Sequence, residues 1–300
     1  MSYKSTNMDI LKQLKLLNEP FFEKGAERDG SKYILFGAPL DKTASYRSGS
    51  RFAPTSIRNE SQFLEGSSVR TGLEWEDLLL YDAGDLMNFN NVNSDLEAIQ
   101  ALITEIMLSQ KISIMLGGEH TITLGALRSI KPDTVIIFDA HLDLRDELFG
   151  ERISHATYLR RAYEELDFKL LIIGVRAFSS DERKFALDHG IEIIDPKTIN
   201  DKGALNVAWD IKNSIRDSTS VYVSLDMDAI DPAEAPAVGN PSPEGMKVAH
   251  LLDILGELVD DRLRGFDLVE VVPSYDSGLT SIQASYITLE TLYAHTKATM

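Results

Sequence analysis

The sequence contains no cysteine among its 300 residues. Disulfides, zinc ribbons and thiol nucleophiles are therefore excluded, and oxygen and imidazole ligands must hold any bound metal. Basic side chains are fewer than acidic ones: the sequence has 30 Lys and Arg and 47 Asp and Glu, which give a formal net charge of −17. This balance argues against nonspecific binding to nucleic acid or anionic membranes. It favours a small cationic ligand, although an acidic surface that serves only solubility is the alternative.

Long hydrophobic runs are also missing, and no apolar run approaches the length that spans a membrane. The first twenty residues, MSYKSTNMDILKQLKLLNEP, break their leucines with charges at helical spacing. They lack the uninterrupted apolar core of a signal peptide. We therefore expect residues 1–30 to form an N-terminal helical extension and the protein to be cytoplasmic.

Short apolar runs alternate with segments of helical period. The runs are YILFG, LLLYD, ISIMLGG, TVIIFDA, LLIIGVR, IEIID, VYVSLD and FDLVEVV. The helix candidates lie around residues 54–65, 93–110, 120–130, 155–166, 180–189, 203–215, 246–259 and 280–296. This alternation predicts a mostly parallel sheet of about eight strands, covered by helices on both faces. Because no low-complexity linker or internal repeat divides the chain, we expect a single three-layer α/β/α domain over residues 1–300.

Acidic and imidazole side chains follow two of the predicted strands, at the sheet edge where α/β proteins bind ligands. After TVIIF come Asp139, His141 and Asp143, which point the same way if the chain stays extended. The run VYVSLDMD ends in Asp226 and Asp228 at the same two-residue spacing. The sequence therefore predicts that these five side chains converge.

A sixth candidate, His120, follows the run ISIMLGGE, whose double glycine lets the backbone turn tightly before the next helix. Any one of the six residues alone is as well explained as a helix cap or loop residue. Together, buried acids and imidazoles would repel one another and lose hydration unless cations compensated them. Four carboxylates and two imidazoles exceed the needs of one tetrahedral zinc and suit a pair of harder divalent ions such as Mn²⁺. Such a centre predicts hydrolysis by a bridging hydroxide.

Two further titratable residues are candidates for function. His155, in ISHATYLRR, is either a capping or surface histidine or a proton carrier. The histidines at 189, 250 and 295 fall on predicted outer helices or near the C-terminus and are bystanders. Glu270, in GFDLVEVVP, lies inside an apolar run that predicts a buried central strand. A carboxylate there needs either an Arg partner or the cationic group of a substrate.

These residues and their surroundings resemble the ureohydrolase family of arginases and agmatinases. The matching stretches between residues 117 and 273 are GGEHTITLG, FDAHLDLRD, SHATYLRR, SLDMDAIDPAEAPAVGNPSPEG and LVEVVP. The earlier stretch DKTASYRSGSRFAPTSIR is similar to the agmatinase N-terminal signature. The resemblance implies an arginase/deacetylase-like fold, two Mn²⁺ per subunit and a homo-oligomer, either a trimer or a hexamer. Glu119 departs from the pattern, which has Asp there, and we expect a small effect.

The resemblance also implies a role for each candidate. By this resemblance His120 and Asp143 would hold one ion, and His141 and Asp228 would hold the other. Asp139 and Asp226 would bridge both ions. His155 would be the catalytic proton shuttle, Glu270 would bind the guanidinium, and Asp143 would orient the nucleophile. The implied reaction is attack of a metal-bridging hydroxide on the guanidinium carbon, which gives urea and a primary amine.

The loop LRDELFGERIS, between Asp143 and His155, bears on the rest of the substrate. It offers Asp146, Glu147 and Glu151 and lacks the Asn and Thr cluster with which arginases hold a carboxylate. These acids favour a cationic or neutral tail, whereas two arginines in the same loop leave the choice open.

A second segment also bears on the tail, since Ala177, Phe178 and Ser179 stand where arginases supply an acid for the α-amino group. Arginine is therefore disfavoured, and agmatine is the leading substrate. N1-aminopropylagmatine is the main alternative, and guanidinobutyrate and formiminoglutamate come further behind. A different class of function, a non-catalytic metal-stabilised binding subunit, is the other alternative.

Overall fold

The computed structural model describes residue 14 and residues 19–23, 25–87 and 91–300. The predicted N-terminal helical extension falls largely on residues 1–13 and 15–18, outside the described residues. Between residues 19 and 30 the described chain forms one short 3-10 turn, Arg28–Gly30.

Eight parallel strands form one sheet across the described ranges. In chain order they are β1 (Tyr33–Ala38), β2 (Leu80–Asp85), β3 (Ile112–Gly117), β4 (Thr134–Phe138), β5 (Lys169–Ile173), β6 (Glu192–Ile194), β7 (Val221–Asp226) and β8 (Leu263–Val269). Their spatial order is β2-β1-β3-β8-β7-β4-β5-β6. The predicted fold class is thus confirmed. Because all strands run the same way, the carboxyl ends of β3, β8, β7 and β4 meet at the centre of one edge.

Helices connect the strands. Those in the described ranges are α1 (Ala53–Ser61), α2 (Val92–Leu108), α3 (Ile122–Ile130), α4 (Tyr158–Glu165), α5 (Ser180–Asp188), α6 (Pro196–Lys202), α7 (Ala204–Ser214), α8 (Val248–Leu258) and α9 (Leu279–Ala298). The sequence did not predict α6, which is too short to show an apolar period. Its signal is local: Asp195 accepts a hydrogen bond from the Thr198 backbone N–H at 2.7 Å, and Pro196 opens the helix. Within the described part of the chain no helix is long and apolar enough to cross a membrane.

The helices cover both faces of the sheet, so the strands are buried on both sides. Helices α1, α7, α8 and α9 pack on one face with inward residues such as Leu35 of β1. On the other face, α2, α3, α4 and α5 pack with the alternate residues Ile34 and Phe36. This three-layer packing explains why the strand runs are almost continuously apolar rather than alternating. It also makes polar residues within them conspicuous.

His295 on α9 makes stability depend on pH. Its Nδ1 atom lies 2.7 Å from the buried Tyr33 hydroxyl, and burial lowers the pKa of His295 from 6.5 to about 4. Between these values the unfolded chain binds a proton that the folded chain excludes, so the stabilisation is intact above pH 6.5 and is lost as the pH falls. Between pH 7 and 4.5 the free energy of unfolding of the wild type should fall. Urea unfolding should show that this fall is about 2 kcal/mol smaller in His295→Gln. The exposed His189→Gln should follow the wild type, and a His295→Gln profile parallel to the wild type would contradict the assignment.

Candidate metal centre

All six predicted ligands lie at the carboxyl ends of the central strands. His120 follows β3, the segment 139–143 follows β4, and Asp226 ends β7 with Asp228 just beyond it. Glu270 is the first residue after β8, rather than a residue within that strand as the sequence predicted. Four neighbouring strands therefore deliver side chains that are far apart in the sequence to one place.

The local backbone differs from the extended geometry that the spacing predicted. Asp143 has a left-handed φ of 52°, so the segment 139–143 is not extended throughout. Met227–Ala229 forms a 3-10 turn, in which the Asp228 backbone N–H donates to Asp226 Oδ1 at 2.7 Å. Alternation along a strand was therefore the wrong reason for convergence, because turns at the strand ends aim these carboxylates.

The double glycine before His120 serves close packing rather than a tight turn. Neither Gly117 nor Gly118 has a positive φ. A Cβ at Gly118 would lie 1.9 Å from the Leu40 carbonyl oxygen, and one at Gly117 would lie 2.3 Å from Ile122 Cδ1. Residues without side chains thus let the Leu40 backbone run against the strand end beside His120.

Two overlapping groups of ligand atoms form the centre, and Asp139 belongs to both. One group is His120, Asp139 and Asp143, the other is Asp139, His141 and Asp228, and each has its ligand atoms within 4.8 Å of one another. Asp139 Oδ2 lies 3.1 Å from His120 Nδ1, whereas Asp139 Oδ1 lies 3.4 Å from His141 Nδ1. One carboxylate therefore presents a separate oxygen to each group, as a bridging ligand would.

The remaining carboxylates divide between the groups. Asp226 Oδ2 lies 3.4 Å from His120 Nδ1, while its other oxygen holds the Asp228 turn. Asp228 Oδ2 lies 3.0 Å from His141 Nδ1. The structure thus brings all six residues together, and the bridging role of Asp226 stays a prediction.

The donor set fits a pair of divalent cations. Within the described part of the chain, His120 Nδ1 and Asp139 Oδ2 are buried without a hydrogen-bond partner. Burial, with the charge of Asp139, raises the pKa of Asp143 to about 7, and burial beside Asp228 raises the pKa of Asp226 well above its usual range. Cations would satisfy the orphaned lone pairs and keep the carboxylates ionised. Oxygen and imidazole donors without thiolate suit Mn²⁺ among other divalent ions.

A buried polar network lies behind His120. His120 Nε2 is 2.9 Å from Ser224 Oγ and 2.8 Å from the Tyr158 hydroxyl. Ser224 donates to Asp267 Oδ1 at 2.5 Å. Burial raises the pKa of Asp267, while His120 and hydrogen bonds donated by hydroxyl groups oppose that rise. Ser224 and Asp267 are not among the residues predicted from the sequence, although each is a polar residue within an apolar strand.

Glu270 lies in the wall of the site without a basic partner. Its Oε1 atom accepts the His120 backbone N–H at 2.8 Å, and no Lys or Arg of the described residues forms an ion pair with it. Its left-handed φ of 64° is a conformation that a Glu rarely adopts. Burial raises the pKa of Glu270 to about 8. The Arg pairing considered for this residue is therefore absent from the described chain.

His155 is held by two hydroxyl groups that were not predicted from the sequence. Its Nδ1 lies 3.2 Å from Thr43 Oγ1, and its Nε2 lies 3.1 Å from Ser45 Oγ. Thr43 Oγ1 also donates to Glu119 Oε1 at 2.8 Å, and the Lys42 and Thr43 backbone N–H groups donate to Glu119 Oε2. Glu119 thus anchors the loop that positions His155. Both hydroxyls lie in the stretch DKTASYRS, more than 100 residues from His155, so spacing gave no signal.

A cavity of about 330 Å³ opens onto the centre. His141, Asp143, His155, Asp226, Asp228 and Glu270 share its wall, and the outer wall includes Ser45, Arg145, Leu148, Phe178, Ser179, Glu182 and Asn240. The loop acids Asp146, Glu147 and Glu151 are not part of this wall. Asp146 instead accepts from Arg161 at 2.9 Å. The expectation that these acids favour a cationic or neutral tail therefore stays a prediction, whereas the acid on the outer wall of the cavity is Glu182.

Arg176 fixes the Asp228 turn from behind. Its Nη2 donates to the backbone carbonyls of Asp228 at 2.8 Å and Ser242 at 2.6 Å, and its Nη1 donates to those of Gly174 and Ala229. The planar guanidinium presents its donors in fixed directions, which a lysine cannot reproduce. This contact joins the end of β5 to the turn after β7.

Fold and site together define a three-layer α/β protein whose ligand set, at the carboxyl edge of a parallel sheet, could hold two divalent ions. A model of the arginase family matches residues 31–293. The chain is 35% identical to an agmatinase of Halalkalibacterium halodurans, covering 91% of this chain and 95% of that protein. It is 33% identical to a guanidinobutyrase of Pseudomonas aeruginosa, covering 92% and 90%.

The fold of this chain is also similar to solved structures of related proteins. The structure of the agmatine ureohydrolase of Thermoplasma volcanium superposes with a TM-score of 0.87 at 33% identity, covering 96% of this chain and 97% of that one. The chain belongs to the arginase family. It is an amidinohydrolase, a hydrolase that acts on guanidino groups, and members of this family are binuclear metal enzymes.

Proposed function

We propose that this chain hydrolyses agmatine to urea and putrescine with two Mn²⁺ per subunit. One observation supports a guanidinium as the group that is bound. Glu270 is buried, has no basic partner in the described chain and lines the same cavity as the metal ligands. Its Oε1 is occupied by the His120 backbone, which leaves Oε2 available. A planar guanidinium that donates to Oε2 would stabilise the ionised form of Glu270 beside the metal ligands, where attack occurs.

Each residue around the cavity has a separate role in the proposed reaction. His120, Asp139, His141, Asp143, Asp226 and Asp228 would hold two divalent ions, which would lower the pKa of a bound water and supply a nucleophile near neutral pH. Glu270 holds the guanidinium carbon in position, and Asp143 orients the attacking water. Burial lowers the pKa of His155, so its imidazole is mostly neutral at pH 7 and must first take the proton that it later donates. We therefore infer that His155 accepts a proton from the attacking water and passes it to the departing amine, while Thr43 and Ser45 orient the ring.

The outer cavity supports agmatine as the substrate. Leu148 and Phe178 offer apolar surface to a four-carbon chain, and Glu182 contributes a buried carboxylate to the same wall. Ser179 and Asn240 add hydrogen-bonding groups near it. A terminal ammonium can be held there, and the net charge of −17 favours the approach of a dication.

One observation favours a second candidate, a guanidino acid such as guanidinobutyrate. Arg145 lines the cavity, its side chain is 45% exposed, and its Nε is 3.6 Å from Glu182 Oε2. This pairing is loose, so the guanidinium of Arg145 can turn towards a carboxylate tail. Agmatine remains the proposal because the buried carboxylate of Glu182 lies on the same wall and the net charge of −17 favours a cationic tail.

The substrate is tested by comparing kcat/KM for agmatine, N1-aminopropylagmatine, guanidinobutyrate and arginine on the Mn²⁺-loaded protein, with urea as the product measured. We expect agmatine to have the highest value. A higher value for guanidinobutyrate or arginine would contradict the agmatine proposal. No urea from any of the four would favour the non-catalytic binding subunit.

Arg145→Gln tests the charge at the outer wall. Removing a cation beside the tail should raise kcat/KM for agmatine about 3- to 10-fold and lower that for guanidinobutyrate by a similar factor. Arg152→Gln is the matched control, because Arg152 lies in the same loop, faces a different pocket and pairs weakly with Asp146 at 3.5 Å. Equal effects of the two substitutions would show that the overall charge, not the cavity wall, sets the preference.

A further inference from the structure

We propose that Asp267 is a positioning residue for the metal centre. Acting through the Ser224 hydroxyl, it keeps the proton of His120 on Nε2 and so leaves Nδ1 as a lone-pair donor for a divalent ion. The proposal rests on the metal centre of the proposed function and not on the identity of the substrate.

The geometry fixes which way the Ser224 hydroxyl points. Asp267 is fully buried, and its Oδ1 accepts from Ser224 at 2.5 Å. Its Oδ2 accepts from the Tyr222 hydroxyl at 2.6 Å and from Thr123 Oγ1 at 2.9 Å. All three partners are hydroxyl groups with a hydrogen to donate, so an ionised Asp267 needs each of them as a donor. The Ser224 hydrogen is thereby committed to Asp267, and its oxygen can only accept from His120.

The consequence for His120 is a defined tautomer. A neutral imidazole carries one proton, and Nδ1 faces Asp139, Asp143 and Asp226. When Ser224 can only accept, the proton stays on Nε2, which is 2.9 Å away. Histidine ligands of metals commonly donate their other ring N–H to a carboxylate or carbonyl. Here a serine hydroxyl connects the imidazole to a carboxylate that does not touch it.

Tyr158 cannot fix the tautomer alone. Its hydroxyl lies 2.8 Å from the same Nε2. A hydroxyl without a committed hydrogen can donate to an unprotonated Nε2 as readily as it accepts from a protonated one. If Ser224 were lost, Tyr158 could therefore stabilise the tautomer with its proton on Nδ1, which does not bind metal. This difference separates the two hydroxyls in an experiment.

The test measures Mn²⁺ affinity of the metal-free full-length chain by competition with a fluorescent chelator. Ser224→Ala and Asp267→Asn should each weaken the binding of at least one Mn²⁺ about 10- to 100-fold. Tyr222→Phe is the matched control: it removes one hydroxyl from the same carboxylate, two positions before Ser224 in β7, and the hydroxyls that reach His120 Nε2 are those of Ser224 and Tyr158. We expect its Mn²⁺ affinity to stay within about 3-fold of the wild type, because Ser224 still commits its hydrogen to Asp267.

A further variant separates the hydroxyl from the space that it fills. Ser224→Cys keeps the shape of the side chain, but sulfur is a weak acceptor, so its Mn²⁺ affinity should resemble that of Ser224→Ala. Equal losses in Tyr222→Phe and Ser224→Ala would reduce the network to a structural role and overturn the proposal, as would wild-type affinity in Ser224→Cys. Substrate is absent from this experiment. A chain that binds Mn²⁺ but releases no urea from agmatine would therefore contradict the proposed function and leave the role of Asp267 standing.

Discussion

Asp139→Asn is expected to lose most of its Mn²⁺ and with it nearly all amidinohydrolase activity. Each oxygen of Asp139 faces a different imidazole, at 3.1 Å from His120 Nδ1 and 3.4 Å from His141 Nδ1, so one substitution weakens both groups of ligands. Elemental analysis after loading and gel filtration should show fewer than one ion per chain instead of two. Urea release should fall by about 1000-fold or more, since the attacking water is no longer polarised.

The matched control is Asp85→Asn, which alters another buried acid at the carboxyl end of a strand. Asp85 Oδ1 pairs with Arg58 Nη1 at 2.6 Å, away from the centre, so the variant should lose stability by about 3 kcal/mol and keep its metal. A full metal complement in Asp139→Asn would contradict the bridging geometry. Loss of metal in both variants would point to unfolding instead, which the unfolding curves would reveal.

His155→Ala is expected to show the opposite combination, with both metal ions retained and turnover almost lost. His155 lines the cavity but belongs to neither group of ligand atoms, so its loss should leave elemental analysis unchanged. Without a group that carries the proton to the departing amine, kcat should fall about 100- to 10,000-fold. KM should change less, because Glu270 still holds the guanidinium.

Free imidazole provides a sensitive check on this role. The cavity that His155→Ala enlarges can admit a small base, and added imidazole should restore part of the turnover if proton transfer is what was lost. The exposed His189→Ala should match the wild type. A His155→Ala variant within about 5-fold of the wild type would contradict the shuttle, and one that lost metal would assign His155 a structural role instead.

The sequence predicted the fold and the six candidate ligands that the structure brings together, because both follow from local patterns. Eight apolar runs gave eight parallel strands, and the ends of those runs supplied His120, Asp139, His141, Asp226 and Asp228 together with Asp143. The reason given for their convergence was wrong, since alternation along a strand does not extend to a left-handed Asp143 or to a 3-10 turn at 227–229. The six residues nevertheless lie together because parallel strands end at one edge of the sheet, whatever the local turn.

What the sequence could not predict depends on contacts between distant segments. Thr43 and Ser45 reach His155 across more than 100 residues, and Ser224 reaches Asp267 across two neighbouring strands. The outward orientation of Asp146 depends on a pairing with Arg161 that no spacing rule specifies. The loop sequence offered acids beside the substrate tail, and only the folded loop shows that Asp146, Glu147 and Glu151 lie outside the cavity wall.

The convergence of ligands from β3, β4 and β7 has a thermodynamic consequence. A divalent ion can bind this set of ligands only in the folded chain, because residues as distant in the sequence as His120 and Asp228 come together only when the sheet has formed. Binding then adds directly to the free energy of unfolding, by about 2.7 kcal/mol at a free ion concentration 100 times the dissociation constant. Metal supply would therefore govern the amount of folded protein that survives in the cell, as well as the rate at which each molecule turns over.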